Sequence, residues 1–176
     1  KNDDIERWRQ TVIKHRMPPE ESQVEETLPP VKIAYFNISS ATNVSSAIAT
    51  MRNANADLLS IHEVTPHWDQ WLRDSLVDMY PYQHSLVDIG LFGMAIFSKY
   101  ELQKIDTIYY RDIPSLRGSV KIAGEPLNFL SVHTEPALNV SSHRRLQEHM
   151  ASLASLIKEV QVPILVFGDF NAVSWS

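Results

Sequence analysis

The feature that most constrains this chain is a strand–helix–strand unit that occurs twice. The first begins with "VKIAYFNI" (31–38), a β-branched and aromatic run of the kind that fills a central strand. Val44, Ala47, Ile48 and Met51 follow at helical spacing, with Thr42 or Asn43 as the cap, and "DLLSIHEV" (57–64) reads as the next strand. The second unit runs from Leu127–Val132 through a helix starting near Ser141. That helix carries Leu146, Met150, Leu153, Ile157 and Val160 on one face, and a strand opened by Pro163 ends in Asp169. Between the units, Thr65-Pro66 starts a helix striped by Trp68, Leu72, Leu76 and Met79. A meander follows, with strands at Tyr82–Val87, Leu91–Ser98, Gln103–Tyr110 and Gly118–Ala123, and with Gly90 and "AGEP" (123–126) as turns. Helices that alternate with strands must cover sheet faces, so the pattern predicts a layered α/β sandwich.

The 176 residues suffice for one domain with its own core. Residues 1–30 stand apart: a short helix near Asp4 to His15, then an extended linker with Pro18-Pro19 and Pro29-Pro30, read as an arm ahead of a domain at 31–176. A net charge of −5 argues against a broad basic surface for nucleic acid. It does not oppose a substrate phosphate held by a metal. Without cysteine there is neither a disulfide framework nor a thiolate zinc site. No apolar run reaches the roughly eighteen residues a membrane span needs.

Four predicted strands end in polar residues that a core does not require. Asn37 follows "IAYF", Glu63 follows "LLSIH", His133 follows "FLSV", and Asp169 and Asn171 follow "ILVF". In open α/β sheets, sites form beyond strand ends. Two carboxylates, amide oxygens and an imidazole make up the donor set of a hard-cation site. Mg²⁺ takes few protein oxygens and completes its shell with water and substrate phosphate. An imidazole beside a phosphoryl group exchanges protons near neutral pH.

These stretches resemble the endonuclease/exonuclease/phosphatase superfamily, the DNase I-like group. "IAYFNI", "ADLLSIHEV", "GMAIFSK", "FLSVHTEP" and "VFGDFNA" occur in the family's order. The resemblance implies a DNase I-like sandwich and metal-dependent hydrolysis of a phosphate ester, with Mg²⁺, or Mn²⁺ in its place. It implies that Glu63 ligates the metal and that Asn37 assists there. His133 would meet the scissile phosphate, Asp169 would orient the attacking water, and Asn171 would hold a phosphate oxygen. Arg117, in "SLRGSV", adds a guanidinium able to grip phosphate. The substrate classes that follow are lipid-linked phosphate, nucleic acid or a small phosphoester. The pattern also resembles bacterial membrane-associated members, which implies membrane association of the parent protein.

Two departures set further expectations. His62 stands where the family often has Gln. The family's closing Ser-Asp-His motif does not occur in these residues. The chain is therefore expected to be the N-terminal portion of the domain, incomplete at its C-terminus, inactive by itself, and prone to self-association through an open sheet. A non-catalytic binding module of the same fold is the alternative. His143 and His149 do not replace the missing histidine. His143 lies near the start of the amphipathic helix, and His149 reads as a solvated or boundary residue.

Overall fold

The computed structural model describes residues 30–38 and 43–172. The predicted N-terminal helix, the linker up to Pro29, and Thr42 lie outside them. Side-chain caps fix where the helices begin. Asn43 accepts from the Ser46 amide at the start of α1 (Val44–Ala54), and Thr65 accepts from Trp68 at the start of α2 (Pro66–Leu76). Asn139 and Ser142 form a reciprocal box that opens α3 (Val140–Glu159).

The strands are β1 (Ile33–Asn37), β2 (Leu58–His62), β3 (Tyr82–Leu86), β4 (Met94–Ser98), β5 (Leu102–Tyr110), β6 (Ile113–Ile122), β7 (Glu125–His133) and β8 (Ile164–Asp169). They form two four-stranded sheets, ordered β1-β2-β4-β3 and β5-β6-β7-β8. The two strand–helix–strand units give the parallel pairs, β1 with β2 and β7 with β8. The other pairings are antiparallel.

Alternation along each strand builds the layers. On β2, Leu59 and Ile61 face outward into a cluster with Met51, Leu72 and Leu76 of α1 and α2. Leu58 faces inward, where Met94 and Ile96 meet Leu116, Val120 and Phe129 of the second sheet. On the far side, Leu130 and Val132 of β7 pack under Leu153 of α3. The result is helix, sheet, sheet, helix: the predicted layered sandwich.

Several boundaries differ from the sequence reading, each for a local reason. β6 begins at Ile113, five residues before the expected Gly118. Pro114 is tolerated because it pairs only with Tyr109 of β5, and pairing with β7 starts at Ser115. β4 begins at Met94 instead of Leu91, because Gly93 lies against the backbone of Val64. Met79 lies past the end of α2 but still packs on its cluster.

His149 corrects a larger expectation. It is 1% exposed, stacked on Tyr110 with ring centroids 4.4 Å apart, and neither ring nitrogen has a hydrogen-bond partner among the described residues. Burial pushes its pKa below the ordinary 6.5, as it does for His62, His84 and His133. The unfolded chain takes up these protons near pH 6.5 and the folded chain only at lower pH, so stability falls as pH drops below about 6.5. His149→Phe removes one of these protonation sites and two unpartnered polar atoms. Urea unfolding at pH 7.5 and 5.0 should show a smaller loss of stability on acidification in the variant than in the wild type.

Candidate active site

The interior of the sandwich changes character along its length. Ile33, Leu58, Phe129 and Phe167 make one end apolar. Two residues further along the parallel strands the inward positions become Tyr35, Ser60, Ser131 and Asp169, and beyond them stand Asn37, His62 and His133. The register pairs Asn37 with His62 on one sheet and His133 with Asp169 on the other. Both parallel pairs therefore end at the same edge of the molecule, and the polar strand ends meet there.

Asn37 is the link. Its Nδ2 donates to Oε1 of Glu63 at 2.7 Å and to Oδ2 of Asp169 at 3.3 Å. The Tyr35 hydroxyl also donates to that Asp169 oxygen, at 3.0 Å. The backbone amide of Asn171 donates to the other oxygen, Oδ1, at 3.0 Å. Burial raises the pKa of the Asp169 carboxyl, but Asn171, Tyr35, Asn37 and His133 together hold it below the usual carboxylate range. Tyr35 is pushed up, first by burial and then by the negative Asp169, so it stays a neutral donor.

His133 lies under this carboxylate pair, 3% exposed, with Phe92 edge-on at 5.5 Å. Burial lowers its pKa, opposed by Asp169 and Glu63. It stacks on His62 with centroids 4.9 Å apart and planes 22° apart. His62 is fully buried, and Tyr35 meets it edge-on at 4.8 Å. Its Nε2 lies 3.2 Å from Oγ of Ser60 and 3.0 Å from Oγ of Ser131, and the two hydroxyls are 2.7 Å apart. Burial, reinforced by the neighbouring His133, pushes the pKa of His62 down to about 3, so the ring is neutral.

Backbone geometry supports the arrangement. Glu63 (φ 64°) and Asn171 (φ 43°) take left-handed conformations, which cost an L residue about 1–2 kcal/mol. Gly168 has φ +132°, and a Cβ there would lie 2.1 Å from the Val132 carbonyl and 2.9 Å from Cε1 of His62. Glycine lets β8 pass close enough to deliver Asp169. Asn171 donates from Nδ2 to the Thr134 carbonyl at 2.7 Å. Its second amide hydrogen is left for another acceptor.

A match to the model of the Endonuclease/Exonuclease/phosphatase family covers residues 34–176. The chain belongs to that family. No curated protein matches it. Among solved structures, TDP2 from Caenorhabditis elegans superposes with a TM-score of 0.73 at 18% identity, over 95% of this chain and 54% of that one. TDP2 from D. rerio, complexed with a single-strand DNA product, gives 0.70 at 18% identity over 82% and 62%. Sphingomyelinase C from Streptomyces griseocarneus gives 0.69 at 13% identity over 84% and 66%. This chain thus spans between about half and two thirds of those three structures, and the likeness shows the fold: DNase I-like, as expected.

Within this family fold, the structure brings together Asn37, Glu63, His133, Asp169 and Asn171. It does not bring Arg117 to them. Arg117 pairs with Leu130 across β6 and β7, on the outward face, and its guanidinium binds Asp106 at 2.8 Å. The sequence reading missed Tyr35, Ser60 and Ser131. Tyr35 and Ser60 stand two residues before Asn37 and His62, and Ser131 two before His133, so strand alternation aims each pair at one face.

Among the described residues, no group of three or more His, Cys, Asp or Glu side chains stands ready to hold a metal. None of the ion pairs among them includes Glu63 or Asp169. Two carboxylates converging on one amide fit Mg²⁺, which is bound through one or two carboxylates plus water and phosphate. They do not fit a closed zinc cage. Tyr35→Phe removes a donor to Asp169 while leaving the ring. Carboxyl-carbon NMR titration should show Asp169 protonating at higher pH in this variant than in the wild type. An unmoved titration would deny Tyr35 that role.

Proposed function

We propose that the protein is a metal-dependent phosphoric ester hydrolase, and that Asn37, Glu63, His133, Asp169 and Asn171 form its centre. The observation that carries this reading is the Asn37 amide bridging Glu63 and Asp169, residues 26 and 132 positions away in sequence. Glu63 and Asn37 would hold Mg²⁺, or Mn²⁺ in its place. Bound there, the ion would polarise the phosphoryl group and offset the charge that develops on it.

The chain's own residues supply the rest. Asp169 stays ionised and is oriented by the Tyr35 hydroxyl and the Asn171 amide, so it can accept a proton from an attacking water. His133 is held neutral on the ring of His62 and can steady or protonate an oxygen of the ester. Asn171 offers its remaining amide hydrogen to a phosphate oxygen. No covalent intermediate is required. A binding module of the same fold is the second reading, favoured by the small number of charged ligands among the described residues.

Two measurements separate these readings. Millimolar Mg²⁺ should raise the melting temperature of the protein, and Glu63→Gln should abolish the rise. In the parent protein, hydrolysis of bis(4-nitrophenyl) phosphate should require the metal and fall by about 10²–10⁴-fold in Asp169→Asn, the usual scale for a lost acid–base group. A metal-dependent melting shift without turnover would support the binding module instead. No shift in either protein would remove the metal site.

A further inference from the structure

A groove opens directly from Glu63. Its walls are Trp68 and Trp71 of α2 on one side and Ile89, Gly90 and Leu91 of the β3–β4 loop on the other. Thr65 and His67 complete it, and no Lys or Arg among the described residues lines it. Trp71 is 45% exposed, against the edge of the Trp68 ring at 5.7 Å, and Leu91 is 52% exposed. Ile89, at the rim, is 91% exposed.

Leu91 also borders a second groove, which carries Phe92, Pro136 and Leu138, the last 84% exposed. Two arginines line that groove, and both are taken. Arg145 forms a bidentate pair with Glu135, and Arg111 binds Glu148 at 3.0 Å. Asp112 adds a further negative charge.

This distribution discriminates between substrate classes. A polynucleotide presents a phosphate at every step and draws on clustered Lys and Arg. Here the approach to Glu63 offers no free cation among the described residues, and the whole chain carries a net charge of −5. What the approach does offer is three exposed apolar side chains, Trp71, Ile89 and Leu91, lining the groove that Glu63 borders. Soluble proteins rarely leave such surface open without a ligand for it, and small-molecule sites combine mainly apolar walls with a few convergent polar groups.

Resting on the hydrolase reading above, we propose that the substrate is an amphiphile: a phosphate ester whose uncharged, apolar chain lies in the groove between Trp71 and Leu91 while its phosphate meets the Asn37–Glu63–Asp169 cluster. Specificity then divides along the molecule. The polar strand ends select the phosphate, and the α2 face and the β3–β4 loop select the chain.

Isothermal titration calorimetry in Mg²⁺ tests this without relying on turnover. Dodecyl phosphate, kept below its micelle concentration, should bind at least about tenfold more tightly than methyl phosphate, a preference equivalent to about two buried methylene groups. The ratio of the two affinities should fall towards one in Leu91→Asp, and also in Ile89→Asp, whose exposed position keeps folding out of the comparison. Equal affinities in the wild type, or no binding of either, would overturn the proposal. So would dodecyl maltoside binding as tightly as dodecyl phosphate, which would mean apolar adsorption only, or a thymidine oligonucleotide binding more tightly than dodecyl phosphate. Turnover of bis(4-nitrophenyl) phosphate by the parent protein reads the hydrolase separately. Turnover with equal affinities removes the chain specificity alone. A tenfold ratio without turnover supports the groove and removes the hydrolase.

Discussion

The two sheets meet at a hydrogen-bonded junction of three buried side chains: Ser60 and His62 from β2, and Ser131 from β7. Everything at the polar edge depends on that junction. A sandwich interior is ordinarily apolar throughout, and a buried polar group without a partner costs roughly 1–3 kcal/mol. Here the two hydroxyls and Nε2 of His62 satisfy one another across the sheet interface, while Nδ1 of His62 stays without a partner among the described residues. His62 then serves as a shelf, with His133 lying on its face and Tyr35 against its edge. Where the family often has Gln, an aromatic ring supplies stacking as well as hydrogen bonding.

Above the shelf, charge is divided sharply. Asp169 is kept ionised by its donors, while burial keeps His62 and His133 neutral. The Asp169 carboxylate thus has uncharged imidazole rings beside it in place of a compensating histidinium. The ion pairs among the described residues all lie elsewhere, and those exposed on both partners each contribute little to stability.

Much of this was legible in the sequence because strand ends are conspicuous. Asn37, Glu63, His133 and Asp169 each break an apolar run, and the two strand–helix–strand units place those breaks at one edge. What escaped was information that depends on which faces oppose each other. Tyr35, Ser60 and Ser131 look like ordinary strand residues until the two sheets are brought face to face. Arg117 was misassigned for the same reason: it shares the outward face with Leu130, and only the β6–β7 register reveals this. His149 was misjudged although the signal was present, since it lies three residues beyond Leu146 and four before Leu153, on the buried stripe of α3. The early start of β6 was hidden by Pro114, which reads as a turn unless its place at the strand's first residues is known.

The bridge from Asn37 to Asp169 spans most of the chain. No local segment contains the centre. It exists only once the first and last described strands have been brought together across the sandwich, and contacts of such separation are costly to close in an unfolded chain. Loss of either end of the bridge therefore disperses the centre, whatever remains folded between them. A ligand that engages both carboxylates at once would act as a clasp on the whole domain, resisting its global opening as well as the movement of any single loop.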